Sequence, residues 1–240
     1  MSLAGAGSAA SLQDVRLVID VPDGRLLFGC GDLDLWAEHL VWCYELLGVK
    51  RGATIAVQDF GTSPLAFLGS ALLMPHLNQG VAERLGGKFI CLDATADRVA
   101  LTPFVLTQLE IDLFVVRAEV VGLLGDACRK AAFEFAEART RTVVAMDVFE
   151  PVPAAMASWR RLLLSESAML IAPECEWCGC FHLRAGLYRL EDGAIRNLRL
   201  KSAQNRPLND HYVIVREPCA KGPEDLRIRR AGEPCRKWSR

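Results

Sequence analysis

The chain has 240 residues, a formal net charge of −1 and a hydrophobic fraction of 51%. This composition predicts a globular protein with a sizeable core. The balanced charge gives no basic surface for nucleic acid or for an anionic membrane. The longest apolar run, residues 64–75, is shorter than the roughly 18–20 residues that cross a bilayer. We therefore expect neither a nucleic-acid partner nor a membrane partner.

The N-terminus and the cysteines predict a cytoplasmic protein. Residues 1–14 are small and polar, lack the basic and apolar regions of a signal peptide, and are typical of a flexible leader. The nine cysteines are an odd number, which does not favour a secreted disulfide framework. Four of them stand singly among apolar residues, as reduced core cysteines do: Cys30, Cys43, Cys91 and Cys128.

The first elements in chain order predict a βαβ unit. Residues 32–47 repeat apolar side chains near the helical period, which predicts a helix with Asp32 as its N-cap and Gly48 as its stop. A strand at 54–57, a helix at 65–85 and a second strand at 88–94 follow. Two strands joined through a helix indicate a parallel sheet with helices over its faces.

The composition changes near residue 165. Before it, further elements are predicted: a helix at 102–109, a strand at 111–118, a helix at 120–138, a strand from Arg141 and a helix at 154–164. Beyond it, apolar and charged residues alternate in short runs around an Asp192-Gly193 turn, which is typical of an antiparallel hairpin. The predicted fold class is α/β, with a parallel sheet layered with helices in residues 15–164. A smaller β-rich part follows in residues 165–240.

The β-rich part carries a Cys/His cluster, "APECEWCGCFH", at residues 172–182. Cys175 and Cys178 have the C-x-x-C spacing that wraps a metal ion in a tight turn, and Gly179 supplies the backbone freedom. A redox C-x-x-C usually begins a helix, whereas this one runs into a strand-like segment. Structural zinc is the favoured interpretation, with unliganded thiols and redox chemistry as the alternatives.

Four stretches resemble a known family in their order and spacing: "DLDLWAEHLVWCYELLGVKRGATIAVQDF", "GVAERLGGKFI", "VVAMDVFEPVPAAM" and "LLLSESAMLIAPECEWCGCFHL". They are similar to segments of the phenylacetate-CoA ligase family of adenylate-forming enzymes. The resemblance implies the core of the large domain of those enzymes. It also implies ATP- and Mg²⁺-dependent activation of an aromatic or other carboxylic acid, followed by transfer to CoA.

Three ATP-handling elements of that family are not recognised in this sequence. The Ser/Thr/Gly-rich phosphate loop is missing before the helix at 32–47, where Gly29 and Gly31 alone do not supply such a loop. Val215 stands where the family has a ribose-binding aspartate, and the lysine-bearing C-terminal domain is not found before Arg240.

The resemblance assigns roles to other residues. Glu166 matches a family glutamate near Mg·ATP, and a solvated or capping glutamate is the alternative. The segment Asp59, Gly61, Thr62 and Ser63 is placed beside the acyl pocket, and from its strand-to-helix position it is an anion site or a plain N-cap.

A subset of the family carries a structural zinc, which the resemblance places on Cys175, His182 and Cys219. Lys221 stands at the position of a second loop cysteine. Cys178 is the predicted fourth ligand, and Cys180 or Cys235 is the alternative.

Together these patterns predict a divergent aryl/acyl-CoA ligase relative that has lost the ATP-handling parts. A non-catalytic acyl- or aryl-binding or scaffold protein with a structural zinc is one alternative. An acyltransferase that uses pre-formed acyl-CoA is another. A partner chain that completes the site, or a homo-oligomer, is also consistent with the missing elements.

Overall fold

The computed structural model describes residues 14–21, 24–134, 140–147, 159–208 and 212–233. Its helices are α1 (Cys30–Leu46), α2 (Pro64–Phe67), α3 (Val81–Leu85), α4 (Ala96–Val99), α5 (Thr102–Gln108) and α6 (Val121–Ala131). Its first eight strands are β1 (Val15–Val21), β2 (Gly24–Gly29), β3 (Thr54–Asp59), β4 (Lys88–Asp93), β5 (Leu113–Arg117), β6 (Arg141–Met146), β7 (Arg160–Ser165) and β8 (Leu170–Pro173). Six shorter strands follow: β9 (Phe181–Leu183), β10 (Tyr188–Glu191), β11 (Ala194–Asn197), β12 (Arg206–Pro207), β13 (Tyr212–Val215) and β14 (Leu226–Arg230).

A six-stranded sheet with the order β4-β3-β5-β6-β7-β8 forms the centre of the molecule. Its first five strands are parallel, and β8 pairs antiparallel with β7. The central strands are continuously apolar because helices and the smaller sheets cover both faces, and Val115 and Val116 of β5 are fully buried. The predicted α/β fold class is confirmed.

The order of the strands reverses between β3 and β5. From β3 the chain crosses to β4 on one side, and it then returns to β5 on the other side. At such a switch point the connections leave the carboxyl ends in opposite directions and open a crevice there. Asp59 ends β3 and Arg117 ends β5, so two charged side chains lie at this point.

The described residues also form three small antiparallel sheets: β1-β2, β10-β11-β12 and β13-β14-β9. The predicted hairpin is β10-β11, with Glu191 opposite Ala194. Asp192 and Gly193 both have positive φ, 50° and 73°, as a two-residue hairpin turn requires.

The long helix predicted at 65–85 is wrong. Residues 64–67 and 81–85 form two short helices, and a loop between them folds back on itself. A Cβ on Gly80 would lie 2.5 Å from the backbone of Ser70, so the loop closes at a glycine. The carboxylate of Glu83 fixes this closure by accepting from the Ser70 hydroxyl at 2.6 Å and from the Gly80 amide at 2.8 Å. Apolar spacing alone did not reveal these tertiary contacts.

Two other helix predictions need correction. Residues 160–164, predicted as the end of a helix, belong to strand β7, and residues 154–158 lie outside the described residues. Leu162 and Leu163 are both fully buried, so an unbroken apolar run gave no period that separates a helix from a strand. The helix predicted at 120–138 is observed as α6, which ends at Ala131 because Ala132 takes a left-handed conformation, and residues 135–138 lie outside the described residues. The six-stranded sheet has strands on both sides of residue 164, and the proposed division there stays a prediction.

Helix α1 agrees with its prediction within two residues, but Asp32 is not its N-cap. Gly29 holds that place, and the Asp32 carboxylate accepts from the Gly29 amide at 2.8 Å. The helix packs against β8 through its apolar side, where Trp36 and Leu40 are fully buried. In the part of the chain that the structure describes, the helices are too short or too polar to cross a bilayer. The predicted leader lies outside the described residues except for Asp14.

A buried ion pair joins the end of the large sheet to the segment that leads into the cysteine cluster. Arg161 of β7 donates from two nitrogens to Glu174, at 2.8 and 3.1 Å. Both side chains are less than one-tenth exposed, and Glu233 accepts two further hydrogen bonds from the same guanidinium at 2.8 Å.

Candidate functional site

The structure brings four potential metal ligands together. One ligand atom from each of Cys175, Cys178, His182 and Cys219 lies within 4.8 Å of all the others. The Sγ atoms of Cys175 and Cys219 are 4.0 Å apart, and Cys178 Sγ is 3.3 Å from His182 Nε2. These are the residues named from the sequence, and Cys219 comes from a segment far along the chain.

A tight turn between β8 and β9 positions the first three ligands. The Cys175 amide donates to the Cys180 carbonyl at 2.9 Å, and the Gly179 amide donates to the Cys175 carbonyl at 2.9 Å. Gly179 has a φ of 66°, a conformation that favours glycine. The Trp177 amide points at Cys175 Sγ from 3.4 Å, so the backbone already donates to this sulfur.

His182 is held in one orientation by a carboxylate. Its Nδ1 atom lies 3.0 Å from Asp225 Oδ2, and its Nε2 atom faces the cysteine sulfurs. Gly222 allows this approach, because a Cβ there would lie 1.8 Å from the Asp225 carboxylate. Metal-binding histidines commonly donate their second nitrogen to a carboxylate, which fixes the ring.

The thiols have opposite pKa shifts. Hydrogen bonds from Cys175 and Cys180 hold the pKa of Cys178 well below its usual range. The hydrogen bond to Cys178 and burial raise the pKa of Cys175. Burial acts to lower the pKa of His182, but its hydrogen bonds to Asp225 and Cys178 outweigh burial and raise it. The cluster therefore favours a thiolate at Cys178, the form that binds metals.

The geometry fits a tetrahedral zinc ion. With Zn–S bonds of about 2.3 Å, tetrahedral ligands lie roughly 3.8 Å apart, close to the separations found here. Leu46 and Trp42 of α1 pack against the cluster, so it lies where the first long helix meets the later loops. Lys221 does not ligate, and its Nζ lies 4.9 Å from the centre of the Trp177 ring.

The alternative ligands have different positions. Cys180 is buried, its thiol donates to the Cys178 carbonyl at 3.6 Å, and it is not among the four grouped residues. Cys235 lies outside the described residues. The turn leads into β9 rather than into a helix, so it lacks the helix N-terminus that makes a C-x-x-C pair a redox centre.

A second group of charged side chains lies at the carboxyl edge of the large sheet. Arg117 donates from Nη1 to Glu166 Oε1 at 2.8 Å, and its Nε lies 3.7 Å from Asp59 Oδ1. Glu119 accepts two more hydrogen bonds from the same guanidinium, both at 2.9 Å. Glu166 follows β7 directly, so strands β3, β5 and β7 all contribute. Arg117 and Glu119 were missed, although a charge that ends a buried strand was a usable signal.

Asp59 is the most buried carboxylate of this group. Burial raises its pKa to about 6, against the opposing effects of Arg117, Ser63 and the Phe60 amide. The Ser63 hydroxyl donates to Asp59 at 2.6 Å and caps the four-residue helix α2 by accepting from the Leu65 amide at 3.3 Å. Gly61 and Thr62 are exposed in the turn between them. The N-cap role of Ser63 is present, and the buried carboxylate beside it opposes a bound anion.

The segment before α1 forms a hairpin. Strands β1 and β2 pair and deliver the chain directly to Gly29, the N-cap of α1. The Asp32 carboxylate occupies that helix end, so a phosphate there would face a negative charge. Val215 ends strand β13 and is buried.

Comparisons with known proteins place this fold. No protein-family model matches the chain, and the search of curated proteins found no significant match. The chain shares the fold of adenylate-forming ligases. It is similar to 2-hydroxyisobutyryl-CoA ligase in an open conformation with 2-HIB-AMP and CoA. The TM-score is 0.68 and the identity 13%, over 91% of this chain and 53% of that one.

A second structure of 2-hydroxyisobutyryl-CoA ligase, in the postadenylation state with R3-HIB-AMP, gives a similar match. Its TM-score is 0.67 and its identity 12%, over 91% of this chain and 51% of the ligase chain. The chain therefore spans about half the length of the ligases that it matches. At this identity the likeness concerns the fold.

Proposed function

We propose that the chain is a divergent, non-adenylating relative of the adenylate-forming ligases, on the phenylacetate-CoA ligase-like branch. In this proposal it is a cytoplasmic acyl- or aryl-binding or scaffold protein. The fold likeness and the four sequence stretches support the lineage. The main observation in favour of lost adenylation is the ion pair between Arg117 and Glu166. Glu166 resembles the family glutamate near Mg·ATP, and here its carboxylate is paired with an arginine of the chain itself.

Two further observations support the loss of ATP handling. The Asp32 carboxylate accepts from the Gly29 amide at the start of α1, where a phosphate loop is expected, and β13 carries Val215 where a ribose-binding aspartate is expected. A phosphate needs backbone amides and positive charge, and the Asp32 carboxylate occupies the Gly29 amide and adds a negative charge at the helix end.

Calorimetric titration of Mg·ATP into the zinc-loaded protein tests this proposal. The titration is run alone and with phenylacetate, benzoate or 2-hydroxyisobutyrate. We expect no heat of binding up to millimolar nucleotide. A dissociation constant in the micromolar range would overturn the proposal and direct attention to an ATP–pyrophosphate exchange assay. Glu166→Gln is the matched variant. If the wild type does bind Mg·ATP, weaker binding by this variant would place the nucleotide at the sheet edge.

The acyl- or aryl-binding part has its own test. Phenylacetyl-CoA and benzoyl-CoA are added in a thermal-shift experiment, with CoA alone as the control. A ligand that binds only the folded state raises the melting temperature in proportion to its occupancy. Stabilisation by the acyl-CoA but not by CoA supports an acyl site. Release of free CoA together with transfer of the acyl group to an added amine or alcohol acceptor, rather than to water, favours the acyltransferase alternative. If none of these ligands raises the melting temperature, the result favours the scaffold role.

We also propose that Cys175, Cys178, His182 and Cys219 hold a structural zinc ion. Their mutual separations and the Asp225–His182 contact support the assignment. All four places of a tetrahedron are taken by side chains, as in closed structural sites, so the ion would stabilise the β-rich part. Elemental analysis of the purified protein tests this, and less than about one-tenth equivalent of zinc after expression with added zinc would contradict it.

The shared ligase fold without recognised ATP-handling residues favours a second candidate, in which another polypeptide supplies the ATP-handling parts. The chain covers about half of the similar ligases. Co-purification that restores Mg·ATP binding to the complex but not to the chain alone would support this candidate.

A further inference from the structure

Three carboxylates from three segments converge on one guanidinium at the sheet edge. Arg117 contacts Glu119 at 2.9 Å, Glu166 at 2.8 Å and Asp59 at 3.7 Å. The arginine side chain is 16% exposed, and Asp59 is fully buried. One positive charge therefore stands among three acidic groups, in a place partly withdrawn from water.

This charged cluster lies at the edge of the sheet where a ligand site is expected. Asp59 and Arg117 flank the switch point between β3 and β5, where open α/β sheets form the crevice that binds ligands. Carboxylate oxygens are the ligands that hard divalent cations take in proteins. The cation that these oxygens contact here belongs to the chain itself.

We propose that Arg117 is the built-in counter-cation of this crevice and keeps divalent metal ions out of it. This inference rests on the proposed non-adenylating function and supplies its physical cause. A metal ion would have to displace a permanently charged guanidinium that is bound to Glu119 through two hydrogen bonds. Two cations cannot share the same carboxylates at a few ångströms without strong repulsion.

The test is equilibrium binding of Mn²⁺ to zinc-loaded protein, with free Mn²⁺ measured by electron paramagnetic resonance. Arg117→Gln removes the charge and leaves the three carboxylates. We expect this variant to bind one Mn²⁺ at least tenfold more tightly than the wild type. The double variant Arg117→Gln/Glu166→Gln should lose that gain. Arg196→Gln, which breaks an exposed pair with Glu191, is the matched control and should bind like the wild type.

Several outcomes would overturn the inference. The inference is overturned if the folded Arg117→Gln protein binds Mn²⁺ no more tightly than the wild type. If Arg117→Gln does not fold, Arg117→Met replaces it, because methionine keeps the apolar part of the side chain without the charge. Arg117→Met should also bind Mn²⁺ at least tenfold more tightly than the wild type. The inference is also overturned if the wild type binds Mn²⁺ with a dissociation constant below about 0.1 mM and Glu166→Gln does not bind it. In that case Arg117 does not exclude the metal ion. Mg·ATP binding to the wild type without Mn²⁺ binding overturns the proposed function instead, so the two failures are distinguishable.

Discussion

The Nδ1 atom of His182 lies 3.0 Å from the carboxylate of Asp225, and the opposite ring nitrogen lies 3.3 Å from Cys178 Sγ. One side chain thus aims another at the cysteine cluster. His182 would bind the metal directly, whereas Asp225 would only orient the His182 ring. Substitution of a direct ligand and substitution of Asp225 should therefore have different effects.

Cys175→Ser should lower both the zinc content and the melting temperature, because one of the four proposed ligands is lost. Zinc per protein and the unfolding midpoint measure the two effects. Cys91→Ser is the matched control, because Cys91 is an exposed cysteine on β4, away from the cluster. Unchanged zinc in Cys175→Ser would contradict the assignment. Chelation of wild-type zinc should lower the melting temperature in the same direction.

Asp225→Asn should weaken zinc affinity by about 10- to 100-fold while keeping one ion per chain at saturating zinc. The amide preserves the size of the side chain but loses the charge that holds the ring. Competition against a chromogenic chelator measures the affinity. Loss of stoichiometry, rather than of affinity, would instead make Asp225 necessary for the fold of the site.

The buried pair of Arg161 and Glu174 predicts a large loss of stability. Arg161→Met removes the cation and leaves a carboxylate that is 6% exposed without its main partner. Breaking one side of a buried pair costs roughly 3–5 kcal/mol. Urea unfolding measures this cost, and Arg189→Met, which breaks an exposed pair with Glu191, should cost less than about 1 kcal/mol. Equal costs for the two variants would show that burial does not set the value.

Asp59 predicts a pH dependence of stability. Its folded pKa of about 6 lies above the value of about 3.9 expected for an unfolded aspartate. The folded state therefore holds the proton more tightly, and its contribution is full below about pH 4 and is lost as the pH rises through 6. Asp59→Asn should flatten this dependence and recover roughly 2–3 kcal/mol at neutral pH.

Melting temperatures measured from pH 4 to pH 7 check the Asp59 prediction. The groups that face this carboxylate are Arg117, Ser63, Glu166 and the Phe60 amide, and they are unchanged in the variant. Asp126→Asn, at an exposed aspartate of α6, is the control. A wild-type profile as steep as that of Asp59→Asn would remove Asp59 as its cause.

The sequence predicted the features that depend on local pattern. Helix α1, the buried strands β3 and β5 and the Asp192-Gly193 hairpin follow from apolar spacing and turn chemistry. The loop closed by Glu83 and the strand β7 could not be read in this way, because a contact between distant residues decides the first and an unbroken apolar run gives no period for the second. Cys175, Cys178 and His182 were predicted as a group because they are close in sequence, whereas Cys219, far along the chain, was predicted only from the family resemblance. Glu119 is a local neighbour of Arg117, but Asp59 and Glu166 lie at the ends of β3 and β7, and only the sheet order brings them to Arg117.

The ligands of the cysteine cluster leave the ribosome at different times. Cys175, Cys178 and His182 emerge within one short turn, whereas Cys219 and then strand β14, which pairs with the strand of His182, come later. If these residues hold zinc as proposed, three of the four ligands are available to a nascent chain before the fourth is synthesised. In the proposed zinc site, closure of the β13-β14-β9 sheet then encloses the ion, so completion of the coordination depends on a strand that is made after the turn.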